Sequence, residues 1–294
     1  MISEINNYNI VNNKTINVTK RKYFNTSPSF GNITKLKDDL FQRNTKFPDV
    51  TITSGNCYGV FTDSNINDEL YLANLWGNSS QKEHKGDGTK ILQNGVKESI
   101  KRGYNGKIGV WAVASLPFYY KSNFNFQHGD MRDAILQYVI RNNIPPQDVI
   151  PHYWSANMKL DEEGAKALID GNRLYKDRFY LKAAEKEING SQYSANFIQA
   201  PFKDEFFLLV ANEDEKQPVF IASLKEKETE NGEKHLSITN ISHEYRPDKE
   251  STNFALETLD KIAREKGYNY TTIENNVMVK KLLDKYKINY KIED

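Results

Sequence analysis

The chain has little with which to cross-link itself. One cysteine in 294 residues, Cys57, excludes an internal disulfide framework and a cysteine-only metal cluster, and agrees with a reducing compartment. Net charge is also scarce. Forty basic residues against 39 acidic ones leave +1, so no global field draws in nucleic acid or an anionic membrane. No apolar run approaches the length of a membrane span, and the first residues, rich in asparagine, have no secretory hydrophobic region. A cytoplasmic protein without a membrane or nucleic-acid partner is expected, with export by a signal-less route left open. His84, His128, His152, His235 and His243 show no ligand spacing, so no metal is expected. Trp76, Trp111 and Trp154 lack an accompanying basic stripe and read as core or cleft walls.

What is present is organised around Asp68 to Phe126. Glu69 to Trp76 alternates as a half-buried strand, a polar loop closes on Lys85-Gly86-Asp87-Gly88-Thr89, and a helix runs from Thr89 to Arg102 with Gly103 as its stop. A second strand, Lys107 to Val113, and the aromatic segment Phe118-Tyr119-Tyr120-Lys121-Ser122-Asn123-Phe124 follow. A strand that delivers two glycines to a helix start makes an anion site, because bare N–H groups and the positive helix end converge there. The loop fits neither common glycine fingerprint: Ile91 stands where a dinucleotide fold needs its third glycine, and no Gly-Lys-Ser/Thr follows at P-loop spacing.

Ahead of this stretch, Thr15 to Thr19 reads as a strand, Ile33 to Gln42 as a helix, and Val50 to Thr53 with Tyr58 to Thr62 as a hairpin around Ser54-Gly55-Asn56. In the helix after the glycine loop, Leu92, Val96 and Ile100 are expected on one face against the sheet, and Gly95 marks a close approach to a strand. Met131 to Ile140 is a further amphipathic helix, ending before Pro145-Pro146, where no regular structure is expected. The second half reads as helical from Asp161 to about Ile188. Strands follow at Glu205 to Val210, Pro218 to Ser223 and His235 to Ile241, then a helix from Thr252, a strand at Thr271 to Ile273, a helix at Val277 to Lys285 and a strand at Ile288 to Tyr290. The order repeats. Lys101-Arg102-Gly103-Tyr104-Asn105 answers Glu265-Lys266-Gly267-Tyr268-Asn269, and Phe118 to Lys121 answers Leu282 to Lys285 at the same separation.

Strand, Gly86-Asp87-Gly88 loop, helix, strand and Phe118-Tyr119-Tyr120-Lys121 together resemble the GNAT superfamily of N-acetyltransferases, whose loop is Gln/Arg-x-x-Gly-x-Gly/Ala and whose later helix reads Phe/Leu-Tyr-x-Lys-x-Gly-Phe. The resemblance implies an α/β (α+β) chain of two GNAT-like domains, each a mixed, mostly antiparallel sheet flanked by helices. The division expected is 1–143, a linker at 144–160, and 161–294. It also implies acetyl-coenzyme A as cosubstrate and an amine-bearing small molecule or protein as acceptor. Ala73, Asn74 and Leu75 would face the pantetheine arm, Lys85, Gly86, Asp87, Gly88 and Thr89 the pyrophosphate, and Tyr119 would protonate the thiolate. Asp68 or Glu69 would serve as base, alternation allowing only one to face the cleft.

The pattern has departures in both copies. Glu83 replaces Gln/Arg in the first, where Lys82 or Lys85 would have to supply charge, and Asn123 fills the motif's glycine position, which asparagine tolerates in left-handed geometry. In the second, Arg246 is retained but Lys249 and Ser251 occupy the small-residue positions, Pro247 removes an N–H, Leu283 replaces the tyrosine, and Asn276 is a family asparagine or a helix cap. A non-catalytic binding protein of this fold and catalysis by the second copy stay as alternatives.

Overall fold

The computed structural model describes residues 47–64, 68–77, 85–113, 115–242, 245, 247–274 and 276–287. The chain divides into two compact units, Met1–Pro48 and Asp49–Asp294, and the second holds every element described below. The expected strand at 15–19, helix at 33–42 and strand at 288–290 lie outside the described residues.

Among the described residues the first sheet has five strands. β1 (Val50–Ser54) and β2 (Cys57–Ser64) form the expected hairpin, Gly55 supplying a positive φ of 54° in its turn, and β3 (Glu69–Trp76) runs antiparallel to β2. Helix α1 (Asp87–Lys101) then crosses over so that β4 (Ile108–Val113) returns parallel to β3. After α2 (Leu116–Lys121), α3 (Arg132–Arg141) and the single turn α4 (Pro146–Val149), β5 (Ser155–Leu160) completes the sheet antiparallel to β4. Helix α5 (Glu162–Asp170) packs on β5 and α1.

Two glycines let α1 lie close on this sheet. A Cβ on Gly59 would come 2.6 Å from Ile91 Cγ2, and one on Gly95 would come 2.6 Å from the Phe61 ring. Ile91, Leu92 and Val96 are buried as the apolar face, but Ile100 is 57% exposed, a correction to the expected face. Four-residue steps overrun a helical turn by about 40° each, so by the second step the side chain has rotated off the sheet.

The second sheet begins where helix was expected. Past α6 (Leu174–Asp177), the chain forms the hairpin β6 (Tyr180–Ile188) and β7 (Ser191–Gln199) about Asn189-Gly190, both with positive φ, the dipeptide that primed hairpin turns favour. β8 (Glu205–Asn212), β9 (Gln217–Glu228) and β10 (Lys234–Ile241) extend it antiparallel. Helix α7 (Lys249–Glu265) brings β11 (Tyr270–Ile273) back parallel to β10, and α8 (Val277–Tyr286) follows. Phe220, Ala222, Leu236 and Ile238 pack under Ala255, Leu259 and Ile262.

The stretch 144–160, expected as a linker, therefore contains α4 and β5. Pro146 begins a helix rather than excluding one, because at a first helical position its missing N–H has no intrahelical use. The chain is a mixed α/β protein with two mixed sheets, and β8, β9, β10, α7 and β11 repeat the pairing senses of β1, β2, β3, α1 and β4. Both crossover helices end alike: Gly103 (φ 85°) and Gly267 (φ 77°) are left-handed, and Tyr104 and Tyr268 each donate back to the residue five earlier at 2.9 Å. Helix α3 packs on β7 and β8, joining the first half to the second sheet.

Gly95→Ala is expected to lower stability by about 1–3 kcal/mol, overpacking against Phe61 outweighing the roughly 1 kcal/mol gain in helix propensity. Urea unfolding monitored by circular dichroism checks the sign, and a more stable variant would contradict the close contact.

Candidate functional site

The parallel pair at the centre of the first sheet comes apart. β3 and β4 pair only at Leu70↔Ile108, Tyr71↔Gly109 and Leu72↔Val110, although β3 runs on to Trp76 and β4 to Val113. The cause lies in β3. Against β2 its register jumps from Phe61↔Leu72 to Val60↔Asn74, leaving Ala73 as the extra residue of a β-bulge, which bends and twists its strand. β4 meanwhile stays paired with β5 out to Val113↔Ser155. Each strand follows its outer partner, and a fork opens at Ala73, Asn74 and Leu75. Asn74 is exposed there and the other two are half-buried.

Beside it lies a helix start without a side-chain cap. Gly86, at φ 98°, is the N-cap of α1 and has no side chain with which to cap the first turn. The first amides of a helix have no intrahelical acceptor, so those of Asp87, Gly88 and Thr89 form a patch of donors at the positive helix end. The Asp87 carboxylate is buried and turned to β1, where Ser54 Oγ donates to it at 2.9 Å, with Lys90 Nζ at 3.5 Å. Lys85 is exposed on the approach, and Lys82, Glu83 and His84 lie outside the described residues.

Helix α2 ties the fork to this patch. A Cβ on Gly88 would lie 3.1 Å from Phe118 Cζ, so Phe118 seals the space behind the glycine. Tyr119 is 5% exposed, edge-on to Phe118 and Phe124 at centroid distances of 5.2 and 5.4 Å. Burial drives its phenol pKa well above the ordinary value. The Ser115 hydroxyl beside it pulls the other way, and Tyr71 of β3 adds to the rise. The neighbouring Tyr120 has a different employment: Arg178 Nη1 donates to its hydroxyl at 3.1 Å and to Asp133 Oδ1 at 3.1 Å. Asn123 adopts φ 68° as the glycine position requires, and its side chain holds the Leu174 N–H at 3.0 Å and the Asn172 carbonyl at 3.1 Å.

The two carboxylates at the start of β3 are placed differently. Asp68 is exposed in the preceding turn at φ 47°, whereas Glu69 is buried within the sheet and faces Lys159 Nζ of β5 at 3.5 Å. A Cβ on Gly109 would come 2.6 Å from Glu69 Oε1, so the glycine on β4 makes room for the carboxylate. Neither Lys159 nor Gly109 stood out from sequence. An isolated glycine inside a strand was the available signal.

The corresponding place in the second sheet is closed by its own side chains. β10 has a bulge at Thr239 and its pairing with β11 stops at Ile238↔Ile273, but Asn276 Nδ2 donates to the Thr239 carbonyl at 3.2 Å, across the gap. The start of α7 is capped by Asp248, whose Oδ1 accepts from the Ser251 N–H at 2.7 Å and whose carbonyl accepts from the Thr252 N–H at 3.1 Å. Leu283 is core, and Arg246 lies outside the described residues. Among the described residues no cluster of His, Cys, Asp and Glu is arranged to hold a metal ion, and no helix is long and apolar enough to cross a membrane.

No protein-family model matches the sequence, and no curated protein gives a significant sequence match. Two solved structures are similar in part. One, a probable acetyltransferase, is 15% identical with a TM-score of 0.26, over 31% of this chain and 62% of its own. The other, glucosamine-6-phosphate N-acetyltransferase from Arabidopsis thaliana, is 12% identical with a TM-score of 0.24, over 58% of this chain and 95% of its own. The chain thus spans less than two thirds of the first. Likeness at this level carries no functional argument.

The Tyr119 phenol is expected to stay protonated through the ordinary tyrosine range near pH 10, so stability falls as pH rises past it: the unfolded chain ionises where the buried group does not. Carbon-labelled tyrosine NMR, assigned with Tyr119→Phe, checks this, and a normal titration of that ring would contradict it.

Proposed function

We propose that the chain is an acetyl-coenzyme A dependent N-acetyltransferase built of two GNAT-like units, with the coenzyme held by the first. The observation that carries this reading is the fork between β3 and β4, opening after Leu72 and Val110 beside a helix start whose N-cap, Gly86, brings no side chain. A parted parallel pair offers backbone N–H groups of one strand to an extended amide-bearing chain, as a missing neighbour strand would. In this reading Ala73, Asn74 and Leu75 hold the pantetheine arm and polarise the thioester carbonyl, while Gly86, Asp87, Gly88 and Thr89, with Lys85 near the entrance, receive the diphosphate. The first unit runs through β5 and α5 rather than ending at 143, since β5 completes its sheet.

Transfer then needs a neutral amine and a proton for the leaving sulfur. The amine nitrogen attacks the carbonyl carbon, the C–N bond forms as the C–S bond breaks, and the amine's proton passes to Glu69 directly or through water. Tyr119, kept protonated by burial, meets the sulfur as a hydrogen-bond donor and gives up its proton as thiolate charge develops. Glu69 is preferred to Asp68 as base because it lies within the sheet beside Gly109, whereas Asp68 faces solvent in the turn. Catalysis by the second unit is disfavoured by the Asp248 cap and the Asn276 bridge, which place a carboxylate and a side-chain amide where phosphate and pantetheine would lie.

Calorimetry with acetyl-coenzyme A tests the reading. Gly86→Asp puts a carboxylate in open space at the helix start and is expected to weaken binding by about tenfold or more. Equal binding to wild type and variant, or none to either, would remove the site. Tyr119→Phe is expected to lower turnover on the order of a hundredfold with binding retained; binding without turnover of any amine would leave a coenzyme-binding protein.

A further inference from the structure

Gly109 leaves a bare place in the middle of the first sheet, and three side chains gather over it. A Cβ there would come 2.6 Å from Glu69 Oε1 and 3.3 Å from Tyr71 Cδ2, so the carboxylate and the ring from β3 both lie against the glycine backbone. From the other side comes Lys159 of β5, the register partner of Gly109, whose Nζ is 3.5 Å from Glu69 Oε2. The Lys159 side chain is 50% exposed and that of Glu69 7%. An amine therefore already stands at the carboxylate assigned above as base.

The same row of the sheet adjoins the fork. Tyr71, Gly109 and Lys159 are aligned across β3, β4 and β5, and the next row, Leu72, Val110 and Met158, is the last before β3 and β4 part. From the Lys159 Cα the mouth of the fork is about one and a half strand spacings across and one to two residues along, roughly 8–10 Å in ordinary sheet geometry. With no side chain on Gly109 in between, the four-carbon stem of a lysine and the ~3 Å approach of reacting atoms cover that span. The contact with Glu69 does not tie the arm down, because an ion pair at 3.5 Å with one partner half in solvent is weakly held. Tyr71 also lies near enough to the Tyr119 phenol to raise its pKa, which puts the proton donor of the transfer beside this row.

We infer that Lys159 is a site of self-acetylation, its Nζ taking the acetyl group from coenzyme held in the fork beside it. This rests on the acyl-transfer reading above and names one amine within reach of that site. Nζ starts as an ammonium. One proton passes to Glu69 and on to solvent, and the lone pair so exposed attacks the thioester carbonyl carbon. The C–N bond forms as the C–S bond breaks, Tyr119 protonates the sulfur, and the proton shed by the acylated nitrogen restores Tyr119 through water. The product is a neutral amide, which no longer pairs with the Glu69 carboxylate.

The test is peptide mass spectrometry on the full chain incubated with acetyl-coenzyme A and no other amine. Lys159 is expected to be acetylated at least about tenfold faster than the exposed Lys101, by a first-order process independent of protein concentration, as an arm held beside its target requires. Thiol release is expected to stop near one equivalent per chain and to be lost in Lys159→Arg. Tyr119→Phe is expected to slow modification of Lys159 by about a hundredfold and to leave that of Lys101 unchanged, which spontaneous acylation of a reactive lysine would not do. With coenzyme binding intact by calorimetry, an unmodified Lys159, a rate equal to that of Lys101, or a rate that rises with protein concentration would overturn this inference alone. Absence of coenzyme binding would overturn the acyl-transfer reading together with it.

Discussion

One extra residue in one strand governs the geometry of this molecule's first sheet. Ala73 has no partner on β2, and the bend it puts into β3 ends the ladder with β4 after three pairs. Had the register continued unbroken, β3 and β4 would have paired to their ends and the sheet would present no cleft. The surrounding elements are arranged to make that opening useful. Gly59 and Gly95 bring α1 down onto the sheet, fixing where its amide-bearing end emerges, and Phe118 fits behind Gly88 so that α2 meets the same point.

The second sheet shows what the same scaffold does without that use. It repeats the meander, the crossover, the bulge and the left-handed helix stop, yet its gap is bridged by Asn276 and its helix start is satisfied by Asp248. A cap of this kind stabilises a helix by about 1 kcal/mol, and α1 forgoes it at Gly86. Fold and site are separable here: two units share a topology, and they differ in what stands at the fork and the helix start, Asn276 and Asp248 in the second against Gly86 in the first. Between them, Arg178 gathers Tyr120, Asp133 and Asn125, tying the aromatic helix of the first half to the strand entry of the second.

The legible parts of the sequence were those where local chemistry and tertiary demand agree. The β1–β2 hairpin, the extent of α1, the tight contact at Gly95 and the left-handed Asn123 follow from residue type at its position. Other features depend on partners distant in sequence. β6 is rich in lysine, glutamate and alanine, which read as helix, and the Asn189-Gly190 turn that contradicts this is two residues long. β5 follows a proline-rich stretch and becomes a strand because β4 offers an edge. Ile100 belongs to the four-residue rhythm but not to the sheet's footprint. The resemblance pointed to Ala73, Asn74 and Leu75, and the β3–β4 ladder ends just before them, whereas the cause, a register shift against β2, leaves no mark that a single strand's alternation can show.

The central claim is that backbone donors at the fork of the first sheet are available to a thioester-bearing chain and those of the second are not. Amide hydrogen exchange with and without acetyl-coenzyme A measures this directly. The account expects new protection at residues 73–75 and 86–89 and none at 239–241 or 248–252; protection confined to the second set, or to neither, would contradict it.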